Sequence, residues 1–419
     1  MFNIFEKRES VVRSYCRNFP ILFKQARNAE LYAEDGSRYI DFFAGAGALN
    51  YGHNNPFIKS KIVEYLQEDN IIHALDMYTV AKQSFLTTID ERILKPRNLD
   101  YKVMFCGPTG TNAIEAALKL ARKNKQRTNI FAFSGCFHGM SMGALAMTTE
   151  AYARKGAGVS LSNVSHMPYS NSLSSPQQAL DFLEFAITND HSGFDKPAAI
   201  FLETTQAEGG INVAPVEWLC GVREICDKYD ILLVVDDIQV GIGRTGYFFS
   251  FERAGIVPDM VVLSKSISGF GLPMALLLMK EELDIFGPAE HNGTFRGNQL
   301  SFIGSAAGLE YFIGNKLDEQ VRHKGEIIKN FLETEIQPID NRLKIRGIGM
   351  IWGIDFSEVG NISKEVMLAC VRHHLIIERA GCQDCVVKIM PPLTISEDIL
   401  FEGLEILKNA ILAKLICRI

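Results

Sequence analysis

Residues 231–246 read ILLVVDDIQVGIGRTG, an apolar run that ends in two carboxylates and a glycine-rich segment. Strands that are apolar throughout belong to mostly parallel sheets that helices cover on both faces. Asp236 and Asp237 follow the apolar run directly, so we expect one of these carboxylates to be partly buried and to need a cationic partner. The segment therefore predicts an α/β fold with a buried carboxylate at one edge of its sheet.

Similar apolar runs alternate with amphipathic stretches on both sides of this segment, as in an α/β sheet with helical crossovers. They read KVMFC, NIFAFS, AAIFLE, MVVLSK and MALLLMK. A polar or glycine-rich feature follows almost every run, at Gly107, Gly135, Glu203, Asp236 and Lys265. In open α/β sheets ligands bind outside the carboxyl ends of the strands, so these residues are expected to surround one pocket. The alternative is that they merely end strands.

The two ends of the chain have a different pattern. ELYAEDGSRYIDFF at 30–43 predicts a hairpin, because two aromatic-rich runs flank a turn that contains Gly36. After about residue 301 the pattern becomes helical, and short strands return at 344–356 and 386–392. These features predict a smaller C-terminal domain.

The amino-acid composition and the net charge limit the classes of protein to which this chain can belong. The 419 residues are 47% hydrophobic and 22% charged, which is typical of a folded globular chain. The 43 Lys and Arg against 49 Asp and Glu give a net charge of −6, so nucleic acid is not an expected partner. No signal peptide or membrane-spanning run is visible, and nine cysteines are scattered from Cys16 to Cys417. We expect a cytoplasmic protein with reduced thiols, no membrane association and no metal site.

A phosphate-binding turn is predicted at 107–112, GPTGTN, which opens the helical run 113–125. Free backbone N–H groups and the positive end of the helix dipole would face a phosphate there, with the Thr111 hydroxyl as a further donor. The turn lacks the Walker Gly-Lys-Ser/Thr ending and is not a GxGxxG turn. A nucleotide is therefore the less favoured ligand.

Lys265 is the predicted nucleophile, because it ends the apolar run 260–264. Desolvation at a strand tip lowers the pKa of an amine, although most lysines are solvated surface charges. A phosphate cradle, a buried amine and the buried Asp236 carboxylate are the parts that a pyridoxal phosphate site needs.

Four segments together form a more specific pattern: DDIQVGIGRTG at 236–246, LSKSISGFGLP at 263–273, FHG at 137–139 and HNGTFRGNQLS at 291–301. With them, nearly the whole chain resembles the class III pyridoxal-phosphate aminotransferases of fold type I. The resemblance implies a mostly parallel central sheet in a large domain, 51–300. It also implies a small α+β domain built from both termini, 1–50 and 301–419.

The resemblance also implies roles for individual residues. Lys265 would bind the cofactor aldehyde and then move the substrate proton, and Asp236 would pair with the pyridine nitrogen. Thr294 would reach the phosphate in a neighbouring subunit, which implies a homodimer or larger homo-oligomer with shared active sites. The full implied cofactor-binding set is Gly110, Thr111, Phe137, His138, Asp236, Gln239, Lys265 and Thr294.

Three segments, at 9–20, 41–56 and 386–395, resemble the diaminobutyrate:2-oxoglutarate aminotransferases, which serve ectoine-type or siderophore-type pathways. Many relatives have arginines where this chain has Met140 and Lys388. Lys388 is our candidate for the substrate carboxylate. Glu208 is expected either to pair with Lys388 or to bind the second ammonium group of the substrate. Two alternative interpretations stay open. The protein is an ω-aminotransferase for ornithine, 4-aminobutyrate or a related diamine, or it is a non-catalytic protein that binds the cofactor.

Overall fold

The computed structural model describes residues 3–416, and Cys417 lies outside the described residues. The strands are β1 (Phe23–Arg27), β2 (Glu30–Ala33), β3 (Arg38–Asp41), β4 (Tyr101–Phe105), β5 (Ile130–Phe133), β6 (Val164–Met167), β7 (Ala199–Leu202), β8 (Thr205–Gln206), β9 (Asn212–Val213), β10 (Leu232–Asp236), β11 (Met260–Leu263), β12 (Leu276–Lys280), β13 (Lys344–Ile348), β14 (Ile351–Asp355), β15 (Leu375–Ile376), β16 (Glu378–Ala380) and β17 (Val386–Ile389). The helices are α1 (Asn3–Arg8), α2 (Tyr15–Asn18), α3 (Ala44–Gly47), α4 (Pro56–Gln67), α5 (Val80–Ile89), α6 (Gly110–Lys125), α7 (Met142–Met147), α8 (Ala151–Lys155), α9 (Pro176–Thr188), α10 (Val216–Lys228), α11 (Gln299–Gly314), α12 (Leu317–Phe331), α13 (Ser363–Arg372) and α14 (Glu397–Ile416).

The central sheet has seven strands in the order β4-β12-β11-β10-β7-β5-β6. Strand β12 is antiparallel to both of its neighbours, and the other six strands share one direction. The predicted mostly parallel sheet is therefore confirmed. Strand β6 was not predicted, because its sequence VSHM is half polar and lacks a strand pattern.

Both faces of this sheet are covered. In β10, Leu233 and Val235 belong to one buried hydrophobic cluster, and Leu232 and Val234 belong to another. Alternate side chains of a strand point to opposite faces, so each face of β10 packs against its own layer. This burial explains why the strand is apolar throughout.

The carboxyl ends of the parallel strands meet at one sheet edge, as predicted. Strand β10 pairs with β11 so that Asp236 lies opposite Val262, and Lys265 follows three residues later. The segments that begin with Gly107, Gly135 and Glu203 leave the same edge, because β4, β5 and β7 run in the same direction as β10. Chain direction therefore brings distant residues to one place.

Two smaller sheets contain the ends of the chain. The predicted hairpin is confirmed as β2 and β3, with Gly36 at φ +87° in the turn. Strand β3 also pairs in parallel with β15, which joins residues near position 40 to residues near position 376. The second sheet has the order β13-β14-β17-β16. Domain boundaries at 50 and 300 stay a prediction.

The described range was also searched for membrane-spanning helices and for disulfide bonds. Within residues 3–416, no helix is both long enough and apolar enough to cross a membrane. The eight cysteines in this range have free thiols.

Candidate active site

Lys265 begins a 3-10 turn, and Ser264 alone separates it from the end of β11. Its backbone has φ +52°, in the left-handed region that residues other than glycine rarely adopt. Such strain is concentrated at functional sites, where the surrounding structure enforces it. Burial lowers the pKa of Lys265 to about 8, although the Glu208 carboxylate acts in the opposite direction. Lys265 is half-buried, whereas the sequence predicted a buried amine, and its neutral nucleophilic form is accessible near neutral pH.

Asp236 and His138 form a buried pair at the end of β10. Nδ1 of His138 lies 2.7 Å from Oδ2 of Asp236, and the other carboxylate oxygen accepts a hydrogen bond from the Ile238 N–H at 3.1 Å. An ionised carboxylate only accepts hydrogen bonds, so Nδ1 of His138 is the donor. Nε2 of His138 is buried without a hydrogen-bond partner among the described residues. The histidine therefore fixes the orientation of the carboxylate.

The start of α6 forms the predicted cradle with two closely approached glycines. A Cβ on Gly110 would lie 2.9 Å from Cδ1 of Ile238, and a Cβ on Gly139 would lie 2.5 Å from Oγ1 of Thr111. Gly139 also has φ +133°, so this position requires glycine, whereas at Gly110 a larger residue would have to displace the end of the Ile238 side chain. The first N–H groups of a helix have no partner within the helix, so this end of α6 can bind an anion.

Two residues that the sequence analysis missed hold the cradle in place. Oγ1 of Thr111 lies 2.5 Å from Oγ of Ser141, whose hydroxyl donates to Oε1 of Glu115 at 2.5 Å. The same glutamate oxygen accepts the N–H groups of Gly143 and Ala144 at 2.9 and 3.0 Å. Thr111 and Glu115 are four residues apart on α6 and therefore lie on the same helix face. This spacing could have indicated from the sequence that Glu115 belongs to the cradle.

Phe137 is positioned by a buried carboxyl group. Its N–H donates to Oε2 of Glu203 at 3.2 Å, and burial raises the pKa of Glu203 well above its usual value, with Asp236 acting in the same direction. Ligand atoms of Glu203, Cys136 and His138 lie within 4.8 Å of one another. Burial also raises the pKa of the Cys136 thiol well above its usual value, which disfavours the thiolate that binds metals. Each member has its own hydrogen-bond partner instead: Glu203 bonds the Phe137 N–H, Cys136 the Met147 carbonyl and His138 the Asp236 carboxylate.

The four-residue element α3 (Ala44–Gly47) also contacts the candidate site, and its backbone forms a left-handed turn rather than a regular helix. All four residues have positive φ, between 49° and 86°. Nε2 of Gln239 donates to the Ala46 carbonyl at 2.8 Å, and Oγ of Ser266 donates to the Gly47 carbonyl at 2.7 Å. A Cβ on Gly47 would lie 3.2 Å from Cγ of Gln239. The turn therefore orients Gln239 and the backbone that follows Lys265.

Lys388 is fully buried between two carboxylates. Its Nζ lies 2.8 Å from Oε1 of Glu208 and 2.7 Å from Oε1 of Glu378. The expected pairing of Glu208 with Lys388 is therefore present, whereas Glu378 was not identified from the sequence. Burial would raise the pKa of Glu208, but the Lys388 and Lys265 ammonium groups lower it to about 2. The charges of all three groups also act on the pKa of Lys265, the candidate nucleophile.

Thr294 lies apart from the other predicted residues, in the exposed segment before α11. Its carbonyl oxygen is 3.1 Å from Nε2 of His73. Met140 is likewise exposed, next to Ser141 of the cradle. These two positions are on the surface of the single chain.

The assembled residues fit pyridoxal phosphate. Lys265 offers an amine for an aldehyde, Asp236 offers a buried carboxylate for a ring nitrogen, and α6 offers a cradle that Cβ atoms would fill. This donor set matches the three functional groups of the cofactor.

Comparisons with known proteins agree with this chemistry. Residues 12–411 match the family model described as "Aminotransferase class-III". A protein of Wolinella succinogenes named "Diaminobutyrate--2-oxoglutarate transaminase" is 52% identical over 97% of this chain and 95% of its own length. A protein of Halalkalibacterium halodurans with the same name is 50% identical over 98% of this chain and 96% of its own length.

Solved structures show the same fold. The ornithine aminotransferase of Toxoplasma gondii has a TM-score of 0.86 at 22% identity, over 98% of this chain and 94% of its own. An S-selective transaminase of an Arthrobacter species also has a TM-score of 0.86, at 23% identity, over 98% and 97% of the two chains. The chain therefore belongs to the class III aminotransferases, a family of pyridoxal-phosphate-dependent enzymes.

Proposed function

We propose that the protein is a transaminase that interconverts L-2,4-diaminobutyrate and 2-oxoglutarate with L-aspartate 4-semialdehyde and L-glutamate. Relatives that carry this activity in their names are about half identical over almost the entire chain. The observation that carries the proposal is the placement of Lys265 at the same sheet edge as the buried Asp236 and His138 pair. In each half-reaction one amino group moves, so the two substrates use the same site in turn.

Pyridoxal phosphate, when bound, supplies the aldehyde that takes up the amino group and the ring that accepts the electrons of the broken C–H bond. Lys265 would hold this aldehyde before the substrate arrives. Once displaced, Nζ of Lys265 would remove a proton from carbon 4 of diaminobutyrate, which carries the reacting amine. Its lowered pKa keeps a substantial fraction of the amine neutral, as a general base requires.

Asp236 supplies the electrostatic stabilisation. Its carboxylate would pair with the ring nitrogen, and the hydrogen bond from His138 preorganises it before the reaction starts. A fixed charge in a site without water stabilises developing charge more strongly than solvent does, because it does not have to reorient.

The remaining cofactor residues orient rather than react. We assign the phosphate to Gly110 and Thr111 at the start of α6, which is aligned by Ser141 and Glu115. Phe137, fixed by Glu203, would cover one ring face, and Gln239 would hydrogen-bond the ring hydroxyl. This arrangement holds the reacting carbon close to Lys265.

We also propose a homo-oligomer in which Thr294 reaches the phosphate site of a neighbouring subunit. Large apolar side chains are exposed near it: Phe295 contacts His73, and Tyr78 is fully exposed. Exposed apolar patches of this kind mark protein interfaces. Sedimentation analysis would test the oligomer, since a monomer that binds cofactor normally would overturn it. A cytoplasmic location is consistent with the eight free thiols.

The decisive experiment follows the absorbance of the bound cofactor in single half-reactions. The loaded protein is mixed separately with L-2,4-diaminobutyrate, L-glutamate, ornithine and 4-aminobutyrate. Rapid changes with the first two alone are expected. Preference for ornithine or 4-aminobutyrate would keep the mechanism and replace the substrate, and no response to any amine would overturn the enzymatic function.

A further inference from the structure

Lys388, the buried lysine of the site, has a second carboxylate partner, which lies on the strand that pairs with its own. Strands β16 and β17 are antiparallel, with Glu378 directly opposite Lys388. The resulting ion pair is 2.7 Å long, and the exposed fractions of the two side chains are only 8% and 0%. Because both residues lie on paired strands, this contact is part of the sheet itself. We call Glu208, Glu378 and Lys388 the acidic trio.

Glu208 differs from the other two members, because its side chain is 34% exposed. It reaches Lys388 from the segment after β8 rather than from a neighbouring strand. Glu208 is therefore the member of the acidic trio that a ligand in the pocket can meet. Lys388, which has no exposed surface, cannot meet a ligand unless Glu208 moves away.

The charges of the acidic trio do not balance. Two carboxylates surround one ammonium group, so with all three groups ionised the sum is one negative charge. An arginine could bind two carboxylates in a bidentate manner, whereas the lysine amine is a point charge that the two glutamates already surround. The unbalanced charge favours a cationic group on the ligand and disfavours an additional carboxylate beside Lys388.

We propose that Glu378 favours the second ammonium group of the diamine in the diaminobutyrate half-reaction, by holding Lys388 as a counter-ion and leaving Glu208 to meet that ammonium. The proposal rests on the proposed function and names the substrate feature that the same site recognises. It makes Glu378 a positioning residue that acts through Glu208 and Lys388. In that half-reaction Lys388 is a counter-ion, and not the carboxylate ligand that the sequence suggested.

Two analogues that lack the terminal amine of diaminobutyrate can measure the contribution of the remaining ammonium group to binding. L-2-aminobutyrate is diaminobutyrate without the terminal amine that reacts, and butyrate lacks the remaining ammonium as well. Calorimetric titration uses protein loaded with the amine form of the cofactor, pyridoxamine phosphate, which has no aldehyde to react with an amine. The ratio of the two affinities, the preference ratio, therefore does not depend on turnover. We expect the wild-type protein to bind L-2-aminobutyrate at least tenfold more tightly than butyrate.

Glu378→Gln tests the positioning role. We expect the preference ratio to fall about tenfold, because Glu208 then neutralises Lys388 alone and carries no spare charge. Glu378→Asp, which keeps the charge, should restore most of the ratio. The control is Glu335→Gln, which removes a glutamate paired with Lys408 at 2.6 Å on the surface and should leave the ratio unchanged. An unchanged ratio in folded Glu378→Gln would overturn the proposal.

A double variant keeps the test valid if Glu378→Gln does not fold. Glu378→Leu with Lys388→Leu removes both members of the buried pair and leaves no unpaired charge between the strands. Glu208 remains, so we expect L-2-aminobutyrate to stay the preferred ligand. Loss of binding of both acids would show that Lys388 is the carboxylate ligand and would refute the proposal.

Two different measurements test the role of Glu378 and the proposed transaminase activity, so either can fail without the other. Turnover of 2,4-diaminobutyrate by the wild-type protein tests the function, and the preference ratio tests the role of Glu378. Turnover without an ammonium preference would overturn this inference alone. An ammonium preference without diaminobutyrate turnover would overturn the substrate assignment and support the charge selectivity of the acidic trio.

Discussion

Nδ1 of His138 lies 2.7 Å from Oδ2 of Asp236, and both side chains are buried beside the candidate cofactor site. A buried carboxylate is costly unless hydrogen bonds satisfy it, and His138 supplies the side-chain donor here. The pair is far apart in sequence, yet β5 and β10 end at the same sheet edge and bring the two residues together. The histidine thus belongs to the electrostatics of the site.

His138→Leu should lower kcat about 10-fold to 100-fold with little change in KM, because a hydrogen bond to a charged group contributes roughly 1.5–3 kcal/mol. Steady-state kinetics at saturating cofactor would measure this effect. His323→Leu is the control, since it removes a histidine that pairs with Glu397 on the surface. Equal kcat values for the two variants would show that Asp236 does not depend on His138.

The lowered pKa of Lys265 predicts how cofactor incorporation depends on pH. Burial penalises the ammonium form, so the amine is half neutral near pH 8 instead of near its ordinary 10.5. The rate at which cofactor-free protein gains cofactor absorbance should therefore rise with pH and reach half its plateau near pH 8. A rise that continued toward pH 10 would contradict the buried environment. Lys265→Arg should gain no covalent absorbance at any pH.

Glu115 predicts a measurable link between the cradle and stability. Its Oε1 accepts hydrogen bonds from Ser141, Gly143 and Ala144, two of them N–H groups at the start of α7. Glu115→Ala should lower the free energy of unfolding by about 1–2 kcal/mol, as loss of a helix cap does. It should also weaken cofactor binding, because Ser141 no longer orients Thr111.

Urea denaturation of the cofactor-free protein and titration with pyridoxal phosphate would measure the two effects separately. Glu115→Gln is the matched variant, because its amide oxygen can still accept these hydrogen bonds. An alanine variant with unchanged cofactor affinity would show that Thr111 holds its position without Ser141.

Features set by local pattern were predictable from the sequence. Lys265 and Asp236 each end a run of apolar residues, and parallel strand direction is enough to place them at one edge. The phosphate cradle follows in the same way from glycines that open a helix. These signals are local in sequence, so no knowledge of the packing is needed to read them.

Features set by register and long-range packing were not predictable. Glu378 faces Lys388 only because β16 and β17 pair in one register, and a shift of one residue would turn the glutamate to the other face. The turn at 44–47 reaches Gln239 across almost 200 residues of sequence. Nothing in the letters of either segment specifies its partner.

Lys388→Met should be severely destabilising, because it leaves Glu208 and Glu378 without their shared cation. Removing one partner of a buried ion pair costs about 3–5 kcal/mol. Lys408→Met breaks an exposed pair of similar length, 2.6 Å to Glu335, and should cost at most about 1 kcal/mol. Urea denaturation of both variants at pH 8 would give the comparison.

The free energy of unfolding that Lys388→Met loses relative to the wild-type protein, its stability deficit, should depend on pH. Without the cation, burial raises the pKa of both carboxyl groups above the values in the unfolded chain. A raised carboxyl pKa stabilises the folded state at low pH, and this contribution is lost as the pH rises. The deficit relative to the wild-type protein should therefore be smaller at pH 5 than at pH 8. A deficit as small as that of Lys408→Met at both pH values would mean that Lys388 is not the buried counter-ion of the acidic trio.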